Sequence, residues 1–347
     1  MFLENLGADE RVRHLISPYA QQGLELGRVC FASHEQYRIF LESGERDATP
    51  TGKMRWSDSL PAVGDWVAAR AIDQSFALIE EVLPRRTQFS RGAAGSALRE
   101  QVIAANIDLA FIVCGLDHDF NLRRIERYLV LARESRAEPV VVLNKVDLCA
   151  DLTEKIANVR ALALGLTVLS ISARISVDEL RPLTRKKTVA LLGSSGAGKS
   201  TIANALIGES IQDTGPVREH DSRGRHVTTG RMLIPLPEGG ALIDNPGMRE
   251  LQLWASESSL DDVFTDVSAI AQNCRFADCT HTSEPACAVL SALESGQLDA
   301  ARWKSFQKLE AELKHQHRQQ DKGAMLAQKK KWKAIHKAMR HHPKHTK

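Results

Sequence analysis

The chain has no run of about 18 apolar residues, so nothing in it reads as a transmembrane helix. Met1-Phe2-Leu3-Glu4-Asn5 has no basic residue ahead of an apolar stretch, which predicts no secretory signal. Aromatic residues are scarce, at 5% with 3 tyrosines, yet 43% of the 347 residues are hydrophobic. That is enough apolar material for packed cores over most of a chain with room for two or three domains. Cysteine is sparse too. Cys30, Cys114 and Cys149 stand alone, while Cys274, Cys279 and Cys287 fall within fourteen residues around His281. This clustering is metal arithmetic rather than a disulfide framework, and it fits a reducing cytoplasm. Net charge is nearly absent, at +3. From Ala301 to Lys347, however, 14 basic residues face 3 acidic ones, a net +11 that leaves −8 for the preceding 300. A basic tail on a mildly acidic body predicts an anionic partner, with nucleic acid the first candidate.

Residues 1–24 read as a helical or irregular extension. Over 25–100 the pattern becomes short strands, at Arg28–Phe31, Tyr37–Leu41, Asp65–Ala69 and Phe76–Leu83, punctuated by Gly, Ser and Pro. Their spacing predicts a small five-stranded barrel of the oligonucleotide-binding (OB) kind. Strand count alone does not separate that from a β-module that only packs against its neighbour. Over 101–262 the grammar is α/β: continuous apolar runs at Leu109–Val113, Pro139–Leu143, Thr167–Ile171 and Thr188–Leu192, with a helical pattern over Asn121–Ser135. Such runs predict a parallel sheet buried on both faces. Residues 263–347 read as helical, interrupted by the Cys/His cluster and ending in the basic tail.

Gly193-Ser194-Ser195-Gly196-Ala197-Gly198-Lys199-Ser200-Thr201 matches the phosphate-loop pattern between a predicted strand and a predicted helix. Glycines let successive N–H groups converge on phosphate oxygens, and the helix N-terminus adds partial positive charge. Lys199 would neutralise the β and γ phosphates, and the Ser200 hydroxyl would ligate Mg²⁺. Asn144-Lys145-Val146-Asp147, after the Val140–Leu143 run, resembles the N-K-x-D guanine motif of GTPases. A carboxylate at Asp147 accepts from guanine N1–H and the exocyclic amine, a donor pair adenine lacks. Ser172-Ala173 resembles the short S-A element that backs the base, and Asp244-Asn245-Pro246-Gly247 the D-x-x-G element, whose Asp orders Mg²⁺ through water and whose Gly N–H faces the γ-phosphate. Gly224-Arg225-His226-Val227-Thr228-Thr229 lies where a switch threonine is expected. The base-reading elements precede the phosphate elements, the reverse of the ordinary GTPase order, so the domain is circularly permuted. Cys274, Cys279, His281 and Cys287 supply a closed Cys₃His set suited to structural Zn²⁺.

With these parts in this order, the sequence closely resembles the YjeQ/RsgA family of small-ribosomal-subunit-dependent GTPases. The resemblance implies a multidomain chain: an N-terminal OB-fold barrel, a central circularly permuted P-loop GTPase and a C-terminal helical zinc domain. It implies a monomer that binds the 30S subunit and 16S rRNA, hydrolyses GTP when so stimulated, and acts late in small-subunit maturation. Two departures stand out. Val227 takes the place after the switch histidine where threonine is usual, and Asn245 the second place of the D-x-x-G element. Aligned on the histidine, Thr228 takes the Mg²⁺ role, with Thr229 the neighbouring alternative. Met248 stands where ordinary small GTPases carry a water-orienting Gln, which leaves His226 as the nearest polar group for that task. A different class of reading is a regulatory, GTP-sensing RNA-binding module with little turnover; stimulation of kcat by 30S subunits separates the two. An ATP-dependent transporter or kinase conflicts with Asp147 and the S-A element.

Overall fold

Eleven described strands join into one continuous sheet, and most of its central members are the apolar runs of the sequence. The computed structural model describes residues 2–33, 36–56, 60–92, 100–162, 165–208, 231–244 and 255–318. The strands are β1 (Glu25–Ala32), β2 (Tyr37–Leu41), β3 (Gly44–Pro50), β4 (Trp66–Ala71), β5 (Phe76–Val82), β6 (Gln88–Gly92), β7 (Glu100–Ala105), β8 (Leu109–Gly115), β9 (Glu138–Asn144), β10 (Thr167–Ile171), β11 (Thr188–Leu192), β12 (Arg231–Pro235) and β13 (Ala241–Asp244). β6 and β7 pair separately as a ribbon. The chain divides into two compact units, Met1–Phe89 with Val102–Leu251, and Ser90–Gln101 with Gln252–Lys347.

In the first unit, β1 to β5 close a barrel in the order β1-β2-β3-β5-β4, with β4 returning to β1. All pairings are antiparallel except β3–β5, where Asp47 meets Phe76 and Pro50 meets Ile79. Val29, Ile39, Leu41, Met54, Val67 and Ile79 fill its centre. This is the five-stranded barrel that the strand spacing predicts. β3 is the strand without an apolar signature. It reads Gly-Glu-Arg-Asp-Ala-Thr-Pro, and only Ala48 and Pro50 point inward.

A bulge between Val29 and Phe31 bends β1, so that its first half pairs with β4 while Phe31 and Ala32 pair with β12. That bend joins the barrel to the α/β sheet, ordered β10-β9-β8-β11-β13-β12 and parallel except for β12. Arg28 pins the joint. It is 1% exposed, and its guanidinium donates to Leu6 O (3.1 Å), Asn106 O (3.2 Å) and Thr188 Oγ1 (2.8 Å) while lying 4.2 Å from the Trp66 ring. Burial pushes its pKa down to about 9, with nearby Asp65 acting in the opposite direction.

The α/β sheet is buried on both faces, with Phe111, Val142, Val189, Ile202 and Leu242 in one core cluster. Asn121 starts the helix Leu122–Ser135 by accepting from the N–H groups of Arg123 and Arg124, and Arg136 ends it in the left-handed region. The second unit holds helices Glu257–Val263, Thr265–Ala271 and Ala288–Glu294 and a helix over 300–318. Phe264, fully buried between the first two, packs under Arg302, whose guanidinium grips Asp266 through two 2.7 Å bonds. No described helix is long and apolar enough to cross a membrane.

Candidate nucleotide site and metal centre

Parallel strands deliver their C-terminal ends to one edge of a sheet, where ligands of open α/β folds bind. Here β11 delivers the phosphate loop, β9 the base reader, β10 the S-A element and β13 Asp244. Register places Ala190 of β11 beside Ile243 of β13, so Asp244 follows one residue beyond that pair. Gly193 and Gly198 have φ of 147° and 99°, and each allows a close approach. A Cβ at Gly193 would lie 2.3 Å from Val113 O, and one at Gly198 2.1 Å from Asn144 Nδ2. The glycines thus serve the packing of the loop as well as its open N–H groups. Lys199 opens the helix Lys199–Ile207 and folds back over the loop, donating to Gly193 O at 2.7 Å and to Ser194 O.

Asn144 is 2% exposed, and both ends of its amide are engaged. Nδ2 donates to Ala197 O of the phosphate loop at 3.0 Å, and Oδ1 accepts from Ala173 N of the S-A element at 3.0 Å. One side chain therefore ties three sequence-distant elements into a single cavity edge. Lys145 sits in the left-handed region at φ 67°, and Asp147 follows, exposed, on the turn Val146–Leu148. Ser172 is buried, and its Oγ has no partner among the described residues.

Two residues of this site carry no motif and are not among those singled out from the sequence. Asp117 and Asp119 lie in the turn after β8, the strand between the base-reading and phosphate strands. Asp117 Oδ2 accepts from Lys145 Nζ at 2.5 Å, and Asp119 accepts from the Ser194 hydroxyl and pairs with Arg124. Leu116 N adds a 2.8 Å bond to Asn144 O. The turn thus bridges the two halves of the site. Burial opposes ionisation of Asp117, but Lys145 and the Asp119 N–H outweigh it and hold its pKa below the usual value. The available signal was position: an Asp-x-Asp turn at the C-terminal end of the central parallel strand.

In the second unit, the ligand atoms of Cys274, Cys279, His281 and Cys287 all lie within 4.8 Å of one another. His281 Nδ1 is 3.5 Å from Cys274 Sγ and 3.4 Å from Cys287 Sγ, and those sulfurs are 3.9 Å apart. Tetrahedral bonds of about 2.3 Å to sulfur and about 2.0 Å to nitrogen require edges of roughly 3.5–3.8 Å, so the set fits Zn²⁺. Burial and the neighbouring sulfurs push the Cys279 thiol up to about 11, although the His281 N–H opposes the shift. Burial also opposes ionisation of Cys274, but the N–H groups of Val289 and Ala288 and the neighbouring thiols outweigh it and hold that thiol below its usual value. A metal ion takes such ligands as thiolates, so binding at this set would release protons. Glu284 braces the knuckle by accepting from Thr280 N (2.8 Å), Thr282 N (2.9 Å) and Ser283 N (3.1 Å). The ring of Trp303 meets His281 edge-on at 5.6 Å.

The switch residues Gly224 to Thr229, including His226 and Thr228, lie outside the described residues, as do Gly247, Met248 and the tail beyond 318.

The RsgA GTPase family model matches residues 82–254. An ABC transporter model also matches, over 182–342. That span includes the phosphate loop, a motif common to many nucleotide-binding folds, and leaves out Asn144 to Asp147. The small ribosomal subunit biogenesis GTPase RsgA of Opitutus terrae is 45% identical, covering 98% of this chain and 97% of its own. The protein of that name from Leptospira interrogans is 40% identical over 94% and 92%. Among solved structures, YjeQ from Thermotoga maritima superposes with TM-score 0.63 at 25% identity, covering 84% of this chain and 98% of its own. YloQ, a circularly permuted GTPase, superposes with TM-score 0.60 at 24% identity over 84% and 96%.

Proposed function

The chain belongs to the RsgA GTPase family and is a GTP-hydrolysing enzyme, and on that premise we propose that it binds the 30S ribosomal subunit through 16S rRNA, hydrolyses GTP to GDP and phosphate when that contact stimulates it, and acts in late small-subunit maturation as a cytoplasmic monomer. The observation that best supports guanine-nucleotide chemistry is the pair of hydrogen bonds at the Asn144 amide, donated to Ala197 O and accepted from Ala173 N, which tie the N-K-x-D turn to the S-A element and the phosphate loop.

In this reading Asp147 takes the guanine N1–H and amine, and the N–H groups of Gly193 to Ser200 take the phosphates. Lys199 exchanges its loop carbonyls for β and γ oxygens. Ser200 and Thr228 would hold the Mg²⁺ that accompanies GTP, with Asp244 contributing through water, and the ion would supply charge neutralisation at the β and γ oxygens. His226 orients the attacking water, since Met248 offers no hydrogen bond for that task. Zn²⁺ on Cys274, Cys279, His281 and Cys287 fixes the helical unit, and the barrel and basic tail make the RNA contacts.

Two measurements test the reading. GDP should bind far more tightly than ADP, and purified 30S subunits should raise kcat by orders of magnitude. Equal affinity for the two nucleotides would remove the guanine assignment, and turnover unmoved by saturating 30S would remove the ribosomal one. His226→Ala should cut stimulated kcat by about 10²-fold, within the range of general acid–base groups, with GTP affinity held. An unchanged rate would assign the water-orienting group to the ribosome.

A further inference from the structure

Trp56 is 93% exposed, more than any other large hydrophobic side chain among the described residues. It ends the helical turn Gly52–Trp56 between β3 and β4 of the barrel. The turn is anchored: Met54 is 5% exposed and belongs to the barrel core, and Arg55 Nη2 donates to Thr49 Oγ1 on β3 at 2.8 Å. The indole therefore stands on a fixed platform and faces water. Lys53 and Arg55 precede it on the same turn, both exposed, and neither pairs with a carboxylate among the described residues.

An exposed aromatic plane on an anchored turn that also carries two exposed cations has a specific complement. A membrane surface calls for several apolar side chains side by side, and an apolar protein groove does not call for the cations. A single-stranded nucleic acid uses both, with a base on the indole and its phosphates on the ammonium and guanidinium. The turn also grows directly from the end of β3, one of the two strands whose face takes oligonucleotides in five-stranded barrels of this kind.

We propose that Trp56 is a base-stacking platform for a single-stranded RNA segment of the small subunit, with Lys53 and Arg55 holding the adjoining phosphates. This rests on the ribosomal reading above, and the experiment separates the two.

The full chain and its W56A, W56F and W56L variants are compared in binding to 30S subunits and, independently, to a labelled single-stranded oligoribonucleotide. Trp56 touches no part of the nucleotide site, so GTP turnover without 30S should be the same in all four and serves as the folding control. W56A should lose about tenfold in both affinities, within the range for one stacked base. W56F should recover most of the loss and W56L little, because leucine keeps apolar area but has no π-face. W56A binding like wild type in both arms, or W56L recovering as fully as W56F, would overturn the proposal, the second result pointing to a protein surface. Wild-type protein that binds no 30S would sink the ribosomal reading, while the oligoribonucleotide arm would still decide the role of Trp56.

Discussion

The nucleotide site and the metal knuckle are built on opposite principles. Around the nucleotide site, the loops hang from strands packed into an apolar core: Phe111, Val142, Val189 and Leu242 are each 0% exposed. The knuckle has no such support. Of its four ligands only Cys287 is buried, and the loop from Cys274 to Cys287 contains no regular strand or helix. In the first region packing prepays the geometry, so losing a functional side chain should cost function and little stability. In the second the proposed metal bonds would take the place of a core, so losing them should cost structure first.

Loss of the proposed zinc is the largest expected effect, since structural zinc binding in small modules is worth about 10 kcal/mol or more. Strong chelation, or Cys279→Ser, should open the segment around 274–287 to proteolysis and weaken 30S binding while GDP affinity holds. Loss of GDP binding on chelation would break the contrast between the two regions. Next comes Lys199→Ala. Losing the charge proposed to neutralise the phosphates should lower 30S-stimulated turnover by about 10²–10³-fold, the scale seen for a single electrostatic stabiliser, with the thermal midpoint nearly unmoved. A large drop in midpoint would show that the phosphate loop is part of the fold after all.

Asp119→Asn sharpens the comparison from inside the nucleotide site. It weakens the grip on Ser194 while preserving shape, and should change GDP affinity by a few fold, in keeping with about 0.5–1.5 kcal/mol for one hydrogen bond. Calorimetric titration reads it, and unchanged affinity would make the bridge to the phosphate loop incidental. The smallest effect belongs to Asp266. Burial opposes its ionisation, but the Arg302 guanidinium prevails and holds its folded pKa below the unfolded value. Its contribution is therefore present above the unfolded carboxylate pKa of about 3.9 and is lost as pH falls through the lower folded value. Asp266 is half-exposed, so the pair is worth at most about 1 kcal/mol. Arg302→Gln should flatten that acid limb of the stability curve, measured by denaturant titration between pH 5 and pH 2 (an interval of roughly the carboxylate range).

How much of this was readable without coordinates follows from where each interaction closes. The phosphate loop, the Asn144–Asp147 reader and the Cys/His set are contiguous or nearly so, and their chemistry is a property of short runs of residue types. The apolar strands were legible because burial on both faces leaves a continuous signature. β3 was not. Its outward face carries Glu45 and Asp47, and it is a strand because β2 and β5 pair with it on either side. Asp117 and Asp119 likewise read as turn residues, and only the sheet brings Asp119 to Ser194, 75 positions away.

The sequence by itself determined the identity and order of the chemical parts, including the permuted order of base and phosphate elements and the soft donor set of the knuckle. Such information is local, carried by side-chain type and by backbone freedom at positions such as Gly193 and Gly198. Only the tertiary structure decided which residues hold those parts together. Asn144 reaches Ala197 across 53 positions, and Arg28 reaches Thr188 across 160. Only there, too, does Arg28 go inside while Trp56 stays out. No local propensity encodes that inversion. An arginine can be buried when carbonyls and a hydroxyl from distant segments satisfy its donors, and a tryptophan stays exposed when its neighbour Met54 has already filled the core.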